Sequence, residues 1–417
     1  MLGERLAGLM LAEGGGTRAR WALANFAWLS VAAALALSLL GVYAIDLAQR
    51  DSGAGELAGI AQRQAIFVGA GVVAAAIACL PHYRIIGMLR WPLACVVMAM
   101  LVFLLVPAVP SWLVTPRNGT RGWIDLGPVD VQPSELAKIA FVLLLSWYLR
   151  YRTSHRRFLG LVVPGLFAFV PMALILLQPD LGTATLFVPS LFAIVLAAGA
   201  RLRHLLVIVV IAMLAAPASY PILKPHQKER VVGLIRQIQG SREGADGINY
   251  QSFTAQKLIG SGLTSGNADP HARALIRYNR LPEAHNDMVF SVLAARFGLL
   301  GALGVLGLYL LWLAGALATA AWCAEPFGRL VVVGLAAFIA AQLVINVGMN
   351  VGLLPIIGIT LPFISYGGSS MVTVWLMTAL VLSVGLRRSQ QPQRPSFEYR
   401  QGDAPPYLNT VRTRPSP

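Results

Sequence analysis

The sequence predicts an all-α integral membrane protein, a polytopic bundle of about ten transmembrane helices with a large extracytoplasmic loop between helices 7 and 8. Three observations carry that prediction. Only 12% of the 417 residues are charged and 57% are hydrophobic, against about 25% charged in an average soluble domain. Apolar segments of about 20 residues recur along the chain, the length a helix needs to cross ~30 Å of hydrocarbon. The alternating pattern of barrel strands is absent.

Charge and cysteine content narrow the function classes. The net charge is +15, yet most Lys and Arg lie in short inter-helix loops and at the termini. There they set orientation and face anionic lipid headgroups, so no nucleic-acid partner is implied. Cys79, Cys95 and Cys323 sit in apolar context without metal-type spacing, which argues against disulfides and zinc. No P-loop, GxGxxG, HExxH or nucleophile motif occurs, so nucleotide hydrolysis and zinc proteolysis lack support.

The elements follow in order. Residues 1–25 form a basic cytoplasmic arm, whose Arg5, Arg18 and Arg20 precede a full-length span without a cleavage site, so that span is expected to stay. The membrane core runs over 26–386. Spans are predicted at about 26–45, 64–80 and 91–109, then a non-helical loop at 110–133. The fourth span, 134–149, has Ser134 as its expected N-cap. Arg150, Arg152, Arg156 and Arg157 form the strongest basic cluster. The fifth span, 158–177, is interrupted by Pro164 and Pro171, and a tight turn at Gln178-Pro179-Asp180 leads into the sixth, 181–200. The seventh is 205–223. Residues 224–287 read as a long, polar, irregular extracytoplasmic loop. The eighth span, 288–323, is longer than one crossing needs and is expected to tilt, extend into water or break near Gly298, Gly301 and Gly304. The ninth is 330–350, a Gly/Pro-rich re-entrant stretch fills 351–370, and the tenth is 371–386. The tail, 387–417, is Pro-, Arg- and Gln-rich and reads as a disordered cytoplasmic segment.

Counting Arg in the short loops places both termini in the cytoplasm. The 110–133 loop, the 178–180 turn, the 224–287 segment and the 351–370 stretch then share the extracytoplasmic face. Most of the polar features of the chain converge there.

Several residues on that face carry chemistry. Residues Pro282 to Met288 hold Glu283, His285 and Asp287 where a polar segment meets an apolar run, and ionisable groups near hydrocarbon tend to be kept for function. The structural alternative is a helix start with Asn286 or Asp287 as N-cap. A partly desolvated Asp287 has a raised pKa suited to general-base work. Lys138 either snorkels to water or holds a phosphate as a point charge, with Glu135, three residues earlier on the same face, as its simplest partner. Asp180 is a helix cap or the partner of an embedded cation. The 365–370 segment, including Ser369, offers backbone N–H groups to an anion or small residues for close packing. Asn346 and Asn350 are expected to hydrogen-bond between helices.

Four segments in this order resemble the SEDS family of bacterial cell-wall polymerases. They are Gly122-Trp123-Ile124 with Gln132-Pro133-Ser134-Glu135-Leu136-Ala137-Lys138; Gln178-Pro179-Asp180-Leu181-Gly182-Thr183; Leu281-Pro282-Glu283-Ala284-His285-Asn286-Asp287; and Asn346-Val347-Gly348-Met349 continuing through Gly352-Leu353-Leu354-Pro355 to Leu361-Pro362 and Ser370. The resemblance implies about ten helices and a peptidoglycan glycosyltransferase that polymerises lipid II at the outer face of the bacterial inner membrane. It implies a class B penicillin-binding protein transpeptidase as partner, within a cell-elongation or division complex. It makes Asp287 the catalytic residue and gives Trp123 and Lys138 a functional role. Arg121, Asp180, Glu283, His285 and Ser369 join them as candidate substrate contacts. Lys138, Arg121 or a divalent cation (Mg or Mn) would neutralise the departing pyrophosphate.

The 347–349 and 355–358 segments look like the rod-shape (RodA) type, while the basic arm and Gly358-Ile359-Thr360 fit the division (FtsW) type. A lipid-precursor flippase or transporter is the reading from another class, although transporters place their polar site near the midplane. The sequence departs from the family at Asn286, Asn279 and Ala295-Arg296, and residues 240–280 match poorly. Arg296 is expected to pair with Asp287 or Asp180.

Overall fold

The computed structural model describes residues 25–49, 59–110, 112–116, 120–127, 130–219, 228, 232–233 and 250–387. The predicted arm and tail, except Asn25 and Arg387, lie outside the described residues, as does most of 220–249. The helices are α1 (Ala27–Gln49), α2 (Gly59–Cys79), α3 (Tyr83–Met88), α4 (Arg90–Leu105), α5 (Pro133–Leu149), α6 (Val162–Leu177), α7 (Leu181–Thr185), α8 (Phe187–Ala197), α9 (Leu202–Ser219), α10 (Tyr250–Ser261), α11 (Asp269–Asn279), α12 (Val289–Trp322), α13 (Pro326–Asn350) and α14 (Gly368–Leu386).

Among the described residues, six helices are long and apolar enough to cross a membrane: α1, α2, Phe158–Leu177, α12, α13 and α14. Arg90–Leu105, Leu181–Ala197 and Leu202–Leu214 are shorter apolar helices. The expected helical, multi-pass architecture is present. The 110–133 loop, expected to be non-helical, carries an antiparallel pair, β1 (Ile124–Asp125) with β2 (Asp130–Val131).

Helix packing follows residue size. α1 lies along α12, α2 along α14, and α13 against α8 and α12. Ala27, Ala33, Ala34 and Ala44 of α1 are buried, so its backbone approaches its neighbours closely. Aromatic edges fill wider gaps: Phe141, Phe187 and Phe338 from α5, α8 and α13 meet one another edge-on.

Two expectations about local structure are corrected. The 224–287 segment is not irregular throughout, because α10 and α11 lie within it. Pro270 starts α11, and Ala272 and Ile276, one turn apart, bury its inner face. Ser134 does not cap α5. Gln132 occupies the N-cap, and Pro133, which has no N–H to leave unsatisfied, takes the first turn.

Of the outcomes left open for the eighth span, a break occurs, and it falls at Gly298, whose φ of 66° and ψ of −162° are open to glycine alone. The 262–267 loop fills the gap. Leu299 and Leu300 N–H donate to the Leu263 and Thr264 carbonyls at 2.9 and 3.1 Å. Asn267 N–H and Nδ2 donate to the Arg296 and Ala295 carbonyls at 3.0 and 2.8 Å. A Cβ on Gly298 would stand 2.5 Å from Gly266 N. The loop therefore pairs four backbone groups that flank the interruption: two N–H and two carbonyl groups.

Candidate active site

Residues 281–288 form a turn, and Met288, not Asn286 or Asp287, is the N-cap of α12, with no side-chain capping bond. Glu283 adopts the left-handed region (φ 52°) and its carbonyl accepts from Asn286 and Met288 N–H. Its carboxylate accepts from Asn286 Nδ2 at 2.6 Å.

Three successive carbonyls fix this turn to distant elements. The His285 carbonyl accepts from Tyr366 N–H at 2.9 Å. The Asn286 carbonyl accepts from Ser365 Oγ at 2.7 Å. The Asp287 carbonyl accepts from both Asn346 Nδ2 (2.8 Å) and Asn350 Nδ2 (2.9 Å). Asn346 also donates to the Ile359 carbonyl at 2.7 Å, and Asn350 Oδ1 accepts from Ser291 N–H. The expected interhelical role of the two asparagines is thus more specific: they hold the backbone of Asp287. Gln64, fully buried in α2, extends the frame by donating to the Ser365 carbonyl and accepting from Gly367 N–H. Tyr366 and Gly367 N–H groups are thus occupied by protein, so of the 365–370 segment these two are not open to an anion.

The Asp287 side chain is treated differently from its backbone. Among the described residues, no hydrogen bond or ion pair reaches its carboxylate. It faces Gly358, where a Cβ would stand 3.6 Å from Oδ2. Burial, followed by the charges of Glu283 and Asp180, pushes its pKa up to about 7.

Asp180 caps α7, accepting from Thr183 N–H at 2.9 Å, as expected. Burial raises its pKa against the Thr183 bonds, with Glu135 raising and Lys138 lowering it further. The turn sits close to the 357–359 segment because Gly182 has no side chain: a Cβ there would stand 2.6 Å from the Ile357 carbonyl. Lys138 does not snorkel. It is fully buried and its Nζ lies 2.8 Å from Glu135 Oε1, the expected i, i+3 partner. Glu135 Oε2 and Ser134 Oγ are buried without hydrogen-bond partners.

Asp180, Glu283, His285 and Asp287 therefore gather around the 357–367 segment, with Lys138 within electrostatic reach of Asp180. Ser369 acts through the loop: its Oγ accepts from Gln132 N–H at 3.0 Å, tying α14 to the end of the 110–133 loop. Arg121 and Trp123 lie half-buried on the segment leading into β1. His285 Nδ1 accepts from Gln49 Nε2 at 3.0 Å, and burial lowers its pKa against the charge of Glu283. A cavity of about 330 Å³ opens beside the turn, lined by Gln49, Arg273, Arg277, Arg280, Leu281 and Ala284 among others.

Arg296 does not pair with Asp287 or Asp180. It donates to Asp269 and, at 2.9 Å, to Tyr43 Oη. This link, with Arg273 bound to Asp46 at 3.0 Å, fastens α11 to α1 and α12. Among the described residues, no three His, Cys, Asp or Glu side chains are grouped to hold a metal ion.

Residues 24–390 match the family model FtsW/RodA/SpoVE, described as cell cycle protein. The probable peptidoglycan glycosyltransferase FtsW of Thiomicrospira cyclica is 39% identical over 272 residues, 64% of this chain and 68% of its own. The peptidoglycan glycosyltransferase MrdB of Escherichia coli is 32% identical over 272 residues, 65% of this chain and 72% of its own. Two solved structures align over 87% of this chain and 98% of theirs. One, from work on the structural coordination of polymerization and crosslinking by a peptidoglycan synthase complex, has a TM-score of 0.74 at 32% identity. The other, the rod shape determining protein RodA of Thermus thermophilus, has a TM-score of 0.63 at 29% identity.

Proposed function

From the premise that the chain belongs to the FtsW/RodA/SpoVE (SEDS) family, we propose that it is a peptidoglycan glycosyltransferase that polymerises lipid II, with Asp287 as general base. The observation that carries this reading is the contrast within one residue: the Asp287 backbone is held by two asparagines while its carboxylate is left unbonded at a pKa of about 7. A base for a sugar hydroxyl needs a pKa near working pH and freedom to take a proton.

The step is a single displacement. The acceptor hydroxyl oxygen forms a bond to the donor anomeric carbon, its proton passes to Asp287, and the bond from that carbon to the lipid pyrophosphate breaks. No covalent nucleophile is required. Lys138, balanced by Glu135, stands behind Asp180 as a fixed positive charge. The arginines beside the turn offer further positive charge for an anionic substrate group. A divalent cation remains the alternative source of that charge.

The reading extends to topology and partner. The chain crosses the bacterial cytoplasmic membrane about ten times, with both termini inside and the Asp287 turn outside, as the Arg distribution supports. A class B penicillin-binding protein crosslinks its product; the likeness to a peptidoglycan synthase complex supports that pairing.

The elongation role rests on the 347–349 and 355–358 segments, and relatives named FtsW support the division role. Depleting the protein in its own host separates them: loss of rod shape marks elongation and filamentation marks division. The flippase reading is disfavoured because the relatives are named peptidoglycan glycosyltransferases.

The direct test supplies labelled lipid II to the purified protein with its cognate transpeptidase. Glycan chains are expected from the wild type and none from a folded, partner-bound Asp287→Asn variant. Polymer from both proteins, or from neither, overturns the assignment.

A further inference from the structure

We propose that Arg90, Trp147 and Arg150 form a binding site for the phosphate of an anionic membrane lipid. The site lies at the ends of α4 and α5, away from the Asp287 turn. Trp147 stands in the last turn of α5, Arg150 closes that helix and Arg90 opens α4.

The two guanidinium carbons sit 3.9 and 3.3 Å from the centroid of the Trp147 ring. They are therefore separated by no more than about 7 Å, the sum of those distances. Each gains from the ring quadrupole, but the ring carries no net charge and leaves the repulsion between two like charges in place. Arg90 also opposes the dipole of the helix it begins.

No carboxylate offsets these charges. Among the described residues, none pairs with Arg90 or Arg150, and Arg90 makes its hydrogen bond to the Gly87 carbonyl at 3.1 Å. The nearby Glu325 is engaged by Tyr83 Oη and by Arg84 at 2.8 Å. Phe327 packs edge-on against Trp147, so the aromatic platform is held in place. Arg152 over Tyr148 adds a further cation at the same end of α5.

Each guanidinium, held against the ring, presents a planar N–H fork that matches the paired oxygens of a phosphodiester, and the second adds attraction from close by. The neighbouring residues select a lipid over a free anion. Met88, Leu89 and Trp91 are exposed beside Arg90, and Tyr151 is exposed beside Arg150. These side chains would lie among acyl chains and headgroups while the arginines hold the phosphate.

The test uses the purified full-length chain in detergent and native mass spectrometry with phosphatidylglycerol or phosphatidylcholine added, and inorganic phosphate as competitor. Retention of phosphatidylglycerol about fivefold above phosphatidylcholine is expected, a difference that two charge-assisted contacts readily supply. Arg90→Gln/Arg150→Gln should bring it down to the phosphatidylcholine level, and Arg150→Gln alone should lower it partway. Arg156→Gln/Arg157→Gln, which removes the same charge from the adjoining loop, should leave it high.

Equal retention of the two lipids by the wild type overturns the proposal even if the double variant fails to fold. So does unchanged retention in folded Arg90→Gln/Arg150→Gln, or an equal loss in the Arg156→Gln/Arg157→Gln control. Displacement by millimolar inorganic phosphate would overturn the assignment to lipid.

Discussion

Asp269 and Asp287 stand at the starts of successive helical segments, and the protein treats them in opposite ways. The Asp269 carboxylate accepts hydrogen bonds from Tyr43 and Arg296; burial pushes its pKa up, but these bonds and the charge of Arg296 outweigh it and hold it below the usual carboxylate range. The Asp287 carboxylate accepts none that the described residues provide, and burial with neighbouring negative charge raises it to about 7. One aspartate is locked as a permanent anion that fastens α11 to α1 and α12. The other is held by its backbone and left able to exchange a proton. Identical side chains acquire structural and chemical roles from what bonds them.

The sharpest way to break this contrast is to neutralise each aspartate in turn. Asp287→Asn should reduce lipid II polymerisation by about 100-fold or more, the usual span for a general base. Asp269→Asn should keep polymerisation within severalfold while costing about 1 kcal/mol of stability, read by thermal unfolding in detergent. Similar losses of activity from both would erase the distinction.

Lys138 tests a third carboxylate in the same terms. Removing the amine leaves Glu135 buried without its partner, so Lys138→Met should destabilise by about 3–5 kcal/mol. The Glu135→Leu/Lys138→Met pair should recover much of that loss in the same unfolding measurement while remaining poor in polymerisation.

Titration separates the two aspartates without removing either. Because the base must be ionised, the polymerisation rate should rise with pH through about 7 and level off above it. Glu283→Gln removes a negative neighbour, so the rising limb should move to lower pH. Since the folded-state pKa of Asp287 lies above its unfolded value, its contribution to stability is present in acid and declines as pH rises from about 4 to about 7. Asp287→Asn should therefore melt a few degrees above the wild type at pH 8 and show little gain at pH 4.

The smallest expected effect lies in the backbone clamp. Asn350→Ala leaves Asn346 to hold the Asp287 carbonyl, so it should lower polymerisation only severalfold and stability by about 1 kcal/mol.

The helical architecture and its six long apolar helices are legible because their signal is local: runs of apolar residues at membrane length. The Glu135–Lys138 pair, the Asp180 cap and the break at Gly298 were legible for the same reason, since each depends on residues a few positions apart. What escaped is long-range. Arg296 finds Asp269 and Tyr43, 27 and 253 positions away, and no periodicity points to that meeting. The asparagine clamp on Asp287 spans 59 and 63 positions and ends on a backbone atom, which sequence patterns do not mark. The burial of Lys138 was hidden because its distance from the helix end suggested water within reach, whereas its neighbours exclude water. Residue type alone points to Ser134 as the cap, but the proline before it already starts the helix. Polar composition reads as irregular chain and so hides α10 and α11, although Ala272 and Ile276 give α11 a one-turn apolar spacing.

The glycine break in α12 has a mechanical consequence. Main-chain bonds on both sides of Gly298 weld the 262–267 loop to the helix, so α10, α11 and the Val289–Phe297 segment share one stiff joint. Asp287 lies just before that short segment, where Asn346 and Asn350 of α13 hold its carbonyl, while α12 as a whole lies along α1. A push on the outer helices is thus passed to Val289–Phe297 as one unit, and the asparagine clamp is what keeps the aspartate in register against it.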